Sequence, residues 1–250
     1  MRLLSWGFVI FFTLISTTAF SPPVEENANP KRLIALDSDV FSRYTSQVYH
    51  QLSFDRDTLD YEVLHKALKG YTYLKATNQL ENPRFLSIID FTKYCNDKRL
   101  WVVDLQERRI VHNELVAHGR RSGSSFANTF SNQHRSNKSS LGFYITGGTY
   151  YGRNGLSLKL NGIERRFNSN AFSRGIVIHG ANYVSDHFVQ RDERIGRSFG
   201  CPAVDARVNK QLVNTLKGGS CLFIYHSNGY YQSNSHLLNA ELYLPLDELK

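Results

Sequence analysis

The chain has 250 residues, 41% of them hydrophobic, with 14 Tyr and 16 Phe dominating the aromatic set; this is enough for a sizeable core and favours a sheet-rich body. The formal net charge of +8 points to anionic partners, such as carboxylate-rich polymers or phosphate headgroups. Its basic residues are scattered or paired, as at Arg108-Arg109, Arg120-Arg121 and Arg165-Arg166, and no nucleic-acid motif accompanies them, which argues against nucleic-acid binding.

The N-terminus places one positive charge, Arg2, before an apolar run from Trp6 to Ile15, then small residues with Thr17 and Ala19 in A-x-A-like spacing. That order predicts a secretory signal peptide over 1–19. The run is too short for a membrane span, which needs about 20 residues, and no later segment is apolar enough, so no integral membrane segment is expected after cleavage. Residues 20–36, with Pro22, Pro23, Glu25, Glu26 and Pro30, read as a polar linker.

Asp37 is placed to cap a helix running to about His50, and Asp60 to cap a second carrying Tyr61, Leu64, Leu68 and Tyr71 on one face. Together these predict an N-terminal helical extension over 37–84. From Phe85 the pattern changes to strands: 85–91, 100–105 and 110–117, with a hairpin-length turn at 106–109. A polar loop from Gly119 to Ser140 follows, of a length that is usually functional or mobile. Strands resume at Gly142, and Leu156-Ser-Leu-Lys-Leu160 before Asn161-Gly162 reads as a hairpin with a type I′ turn. Asp205 is placed to cap a helix to about Leu216, with Gly218-Gly219 as its end, and 220–226 is the last core strand. The main domain is thus expected over 85–230, with an unassigned tail at 231–250. No strand–helix–strand alternation stands out, so the expectation is a mainly β (α+β), mainly antiparallel fold.

Two residues carry the chemistry. His179 ends the β-branched strand Ile176-Val-Ile178 and is followed by Gly180; Cys201 lies 22 positions later in Arg197-Ser198-Phe199-Gly200-Cys201-Pro202. A thiol needs a base to become a thiolate near neutral pH, and a histidine on a strand end is a rigid base. Gly200 allows a tight bend that exposes the sulfur and leaves backbone N–H groups free, while the helix start near Asp205 is expected to lower the thiol pKa. The chain has three cysteines. Cys221 sits in an apolar run, and in an oxidising compartment it could pair with Cys95; the odd count points to a free thiol. His179, His187 and Cys201, even with Asp186, match no zinc spacing, and there is no G-x-S-x-G elbow. No metal and no cofactor are expected.

The segments Ile176-Val-Ile-His-Gly180 and Ser198-Phe-Gly-Cys-Pro202 resemble the signature of the YkuD-type L,D-transpeptidase catalytic domain. Ser139-Ser-Leu-Gly-Phe-Tyr144, Thr149-Tyr-Tyr-Gly152 and Gly196–Ala203 resemble its murein L,D-transpeptidase branch. The likeness runs over roughly 98–226. It implies a β-sandwich-like catalytic fold, peptidoglycan stem peptides as substrate, and an exported protein of the periplasm or cell wall. Cys201 would be the nucleophile and His179 its base, forming an acyl-enzyme with loss of D-alanine and then transferring it to an amine. Gly200 and Cys201 N–H groups would hold the oxyanion, and Ser198 would shape the loop. Arg197, with Arg174 and Gly180 behind it, is a candidate for binding substrate. Two departures stand out: Phe199 replaces the family's frequent histidine, and Pro202-Ala203 replace its Asn or Arg. These bear on substrate grip and acceptor choice. The rival functions are a wall carboxypeptidase or amidase using the same pair with water, and a non-catalytic wall-binding module.

Overall fold

The computed structural model describes residues 33–35, 37–54, 58–241 and 243–245. The expected signal peptide, 1–19, lies outside them, as does most of the expected linker, although residues 33–35 at the linker's end form a strand. In chain order the elements are β1 (Leu33–Ala35), α1 (Ser38–Gln51), α2 (Tyr61–Ala76), β2 (Phe85–Asp90), β3 (Leu100–Asp104), β4 (Arg109–Glu114), β5 (Gly142–Gly152), β6 (Gly155–Gly162), β7 (Val177–Ala181), α3 (Asp186–Asp192), β8 (Ala203–Asp205), α4 (Ala206–Leu216), β9 (Cys221–Tyr225), α5 (Gly229–Asn234) and β10 (Tyr243–Pro245).

Local chemistry explains the helices. The Asp60 carboxylate accepts the N–H groups of Glu62 and Val63 at 2.8 and 3.2 Å, and Asp37 and Asp205 cap α1 and α4 in the same way; each satisfies amides that have no partner inside the helix. Helix α2 buries Val63, Leu64, Ala67, Leu68, Tyr71 and Leu74. Gly70 lies in that face because a Cβ there would stand 2.2 Å from the Phe143 ring. Beyond α4, Gly218 and Gly219 adopt φ of +80° and +89°, the left-handed conformation that ends a helix at little cost only for glycine.

Eight strands form one mixed sheet in the order β4-β3-β2-β9-β5-β6-β7-β8, and β1 pairs with β10 apart from it. The sheet is mainly antiparallel, as expected, with two parallel pairings that the sequence did not announce: β2 with β9, and β7 with β8. The seven-residue α3 makes β7–α3–β8 a strand–helix–strand unit, but its segment buries no residue and so carries no apolar stripe to reveal it. Strands β2 and β9 are far apart in sequence, and no local periodicity announces their pairing. Past β4 the chain runs on to Ala117, whose N–H donates to Ala203 of β8 at 2.8 Å, and Gly119 bridges to Ser198. The sheet's two edges therefore meet, and the strands form one curled sheet closed on itself, which removes exposed edge groups.

Helices α1 and α2 share one hydrophobic core with the sheet, and α4 packs against β6, β7, β8 and β2. Nearly every residue of β2, β3 and β9 is buried. Both faces of these strands are covered, which is why they read as continuous apolar runs. Among the described residues no helix is long and apolar enough to cross a membrane.

The expected hairpin turn at Asn161-Gly162 is corrected. Those residues belong to β6 and pair with β5, and the turn is the two-residue Arg153-Asn154 link between Gly152 and Gly155. A Cβ on Gly162 would lie 2.0 Å from the Asn168 carbonyl oxygen. That glycine is thus required by a close backbone approach, which at sequence level looks the same as a turn requirement.

Candidate active site

Strand β7 carries His179, and β8 follows the Cys201 loop. Their parallel register sets His179 opposite Ala203. Cys201 lies in the bend two residues before Ala203, and the backbone of Val177 hydrogen-bonds its thiol. No hydrogen bond joins the Cys201 and His179 side chains among the described residues; Cys201 Sγ instead lies 3.6 Å from the Gly175 carbonyl oxygen.

His179 is buried and its Nδ1 lies 2.9 Å from the Gly180 carbonyl oxygen. A carbonyl only accepts, so Nδ1 carries the proton and Nε2 holds the free lone pair. Burial lowers the His179 pKa below 6.5, and the Gly180 hydrogen bond opposes this. At neutral pH the ring is therefore an uncharged base. Burial pushes the Cys201 thiol up, with the Val177 hydrogen bond and the charge of Arg174 acting against it. The expected lowering of the thiol by the following helix does not set the direction, because desolvation is the largest effect. The resting pair is thiol and imidazole rather than thiolate and imidazolium.

The cysteine loop is tightly tied. Ser198 is buried; its Oγ accepts the Gly200 N–H at 3.0 Å and donates to the Cys201 carbonyl at 2.6 Å. The Gly200 N–H, expected to face an oxyanion, is thus engaged by Ser198, whereas no described hydrogen bond engages the Cys201 N–H. Gly200 has φ +128°, and a Cβ there would lie 2.8 Å from the Lys138 carbonyl oxygen, so no other residue fits without strain.

The two candidate arginines serve the polar loop. Arg174 donates to the carbonyls of Ser131 and Lys138, both at 2.7 Å, and to the hydroxyls of Ser136 and Ser140. Arg197 donates to the carbonyls of Arg120 and Gly123 at 3.2 and 2.8 Å. Beneath them Arg99, fully buried, reaches His118 Nδ1 at 2.9 Å. Desolvation takes that histidine down to about 4, so it stays neutral and accepts the guanidinium. The loop itself borders a separate cavity of about 430 Å³ with Phe167 and Tyr231.

His179 lines an open cleft of about 610 Å³ with Gly180, Tyr183, Leu156, Asn209 and Lys210. Gly180 lets α4 approach: a Cβ there would lie 3.0 Å from Ala206 Cα. Tyr183 and Asn209 escaped the sequence reading. Burial, with Cys201 as the second cause, raises Tyr183 to about 12. Asn209 donates from Nδ2 to the Leu156 carbonyl at 2.8 Å, and its buried Oδ1 has no partner. The available signals were an aromatic four residues after His179 and a polar residue inside the apolar stripe of α4. All three cysteines are free, and Cys95 and Cys221 are buried. Among the described residues no cluster of His, Cys, Asp and Glu could hold a metal ion.

The sequence model of the L,D-transpeptidase catalytic domain matches residues 55–225. The chain belongs to this enzyme family. The match extends past the 98–226 likeness to take in α2. Among solved structures, an L,D-transpeptidase from Mycobacterium smegmatis is 8% identical with a TM-score of 0.36, the alignment covering 57% of this chain and 59% of that one. An L,D-transpeptidase from Xylanimonas cellulosilytica is 12% identical with a TM-score of 0.32, covering 82% of this chain and 100% of that one. One from Stackebrandtia nassauensis is 12% identical with a TM-score of 0.33, covering 79% and 94%. At such scores these likenesses add no weight to the sequence match. The chain spans 59% of the length of the M. smegmatis protein that it matches, and no curated protein matches it in sequence.

Proposed function

We propose that this chain is an exported cysteine acyltransferase acting on peptidoglycan stem peptides. The reading rests on one observation: within an L,D-transpeptidase catalytic domain, His179 of β7 stands opposite Ala203 of the parallel β8, two residues after Cys201. The leader-like N-terminus, with Arg2 ahead of the apolar run from Trp6 to Ile15, supports export.

Chemistry starts from the neutral pair. His179 Nε2 takes the Cys201 Sγ proton as sulfur attacks the carbonyl of the third stem residue. The Cys201 N–H is the backbone donor left to steady the oxyanion; losing such a donor typically costs about 3 kcal/mol. The tetrahedral adduct collapses, the bond to the terminal D-alanine breaks, and the His179 proton goes to the departing amine. The thioester then meets an amine of a neighbouring stem, His179 removes its proton, and sulfur leaves and is reprotonated. The product is a cross-link; water in place of the amine would yield a shortened stem.

The experiment is mass analysis of digested wall fragments after incubation with the protein. Joined stems are expected with wild type and none with Cys201→Ala. Shortened stems alone would favour hydrolysis, and unaltered fragments would favour a binding module.

A further inference from the structure

The face that carries His179 also carries a cation with no described role. Tyr150 pairs with Ser157 across β5–β6, and Ser157 pairs with His179 across β6–β7, while Lys159 pairs with Val177. Paired residues share a face, and residues two apart on a strand do too. Tyr150, Ser157, Lys159, Val177 and His179 therefore project from the same side of the sheet.

Lys159 Nζ lies 5.8 Å from the ring centroids of both Tyr150 and Phe172. Both rings are exposed, at 41% and 61%. Among the described residues no carboxylate pairs with Lys159. Two ring faces attract the ammonium without neutralising it, so its charge stays uncompensated. A cation held in this way matches a free carboxylate, and the adjoining ring faces match the alkyl and peptide groups beside it.

We propose that Lys159, held between Tyr150 and Phe172, is the specificity residue that reads a free side carboxylate of the stem peptide. This rests on the function proposed above and deepens it, because it names a feature the substrate must carry. Neither the ring pair nor the lysine belongs to the proposed Cys201–His179 pair, so the effect is expected in substrate binding.

The test uses the full chain and two synthetic stems, one with free side carboxylates and one with these as carboxamides, both with the same scissile bond. Acyl-enzyme formation is followed by D-alanine release. Wild type is expected to favour the carboxylate stem on the order of tenfold in kcat/KM, mostly through KM, and the preference should shrink as ionic strength rises. Lys159→Met should abolish both the preference and its salt dependence while kcat stays within about twofold, since uniform binding alone is lost. Lys159→Arg should restore the preference. Phe172→Ala, at an exposed position, should weaken binding of both stems alike and gives a second folded variant. A Lys159→Met protein that still discriminates the stems as wild type does would overturn the proposal, as would a wild type with no preference. A wild type that acylates with neither stem would remove the underlying function as well.

Discussion

His179 stands directly opposite Ala203 across the parallel β7–β8 ladder. Cys201 is two residues upstream of Ala203, so this pairing brings the cysteine loop to the strand of His179, and the thiol meets the Val177 backbone. The short β8 is held in place by Ala117, which donates to the Ala203 carbonyl at 2.8 Å from the sheet's opposite edge. Closure of the sheet is thus what sets the register of the site.

Replacing His179 with Asn is expected to lower acylation of Cys201 by about 10²–10⁴-fold with little change in melting temperature. Loss of folding in step with activity would contradict its role as base. The companion Cys201→Ala should melt like wild type and show no acyl adduct by intact-protein mass spectrometry.

Burial holds the His179 pKa below 6.5, so the neutral imidazole persists to lower pH than in an ordinary histidine. The kcat/KM profile should stay on its plateau as pH falls through 6.5 and drop only below it. An acid limb centred above 6.5 would sink the neutral-pair mechanism.

His118 makes a stability prediction. Its folded pKa is depressed to about 4, so above 6.5 both folded and unfolded forms are neutral and it has no effect. As pH falls from 6.5 towards 4 the unfolded chain takes up the proton first, and stability declines. Below about 4 the loss levels off at roughly 3 kcal/mol. Denaturant midpoints between pH 7 and 4 should fall for wild type, and fall less for a His118→Gln variant measured against its own value at pH 7.

Gly200→Ala places a side chain where φ is +128° and 2.8 Å from a backbone oxygen. About 1–3 kcal/mol of strain is expected, released by displacement of the cysteine loop. Acylation should fall steeply while far-ultraviolet circular dichroism stays unchanged. A variant with wild-type acylation would show that the bend is not needed.

Arg174 clamps the 131–140 segment through four partners. Arg174→Met removes several charge-assisted bonds and leaves carbonyls without donors, at a cost of about 2–4 kcal/mol. Limited proteolysis should then cut between residues 131 and 140, where wild type resists.

Much of this protein was legible from residues close together in the chain. Asp37, Asp60 and Asp205 announce helix starts because capping is chemistry within one turn. Leu100–Val103 and Cys221–Tyr225 announce buried strands by composition, and His179-Gly180 with Gly200-Cys201 mark the proposed site. The tertiary structure alone decided the rest: that β9 runs parallel to β2, that Gly162 answers to Asn168 rather than to a turn, that the Gly200 N–H belongs to Ser198, and that Lys159 shares a face with His179. Each of these depends on groups brought together from distant positions. Side-chain periodicity records which face a residue takes within its own element, but it holds no information on which strand lies alongside or in what register.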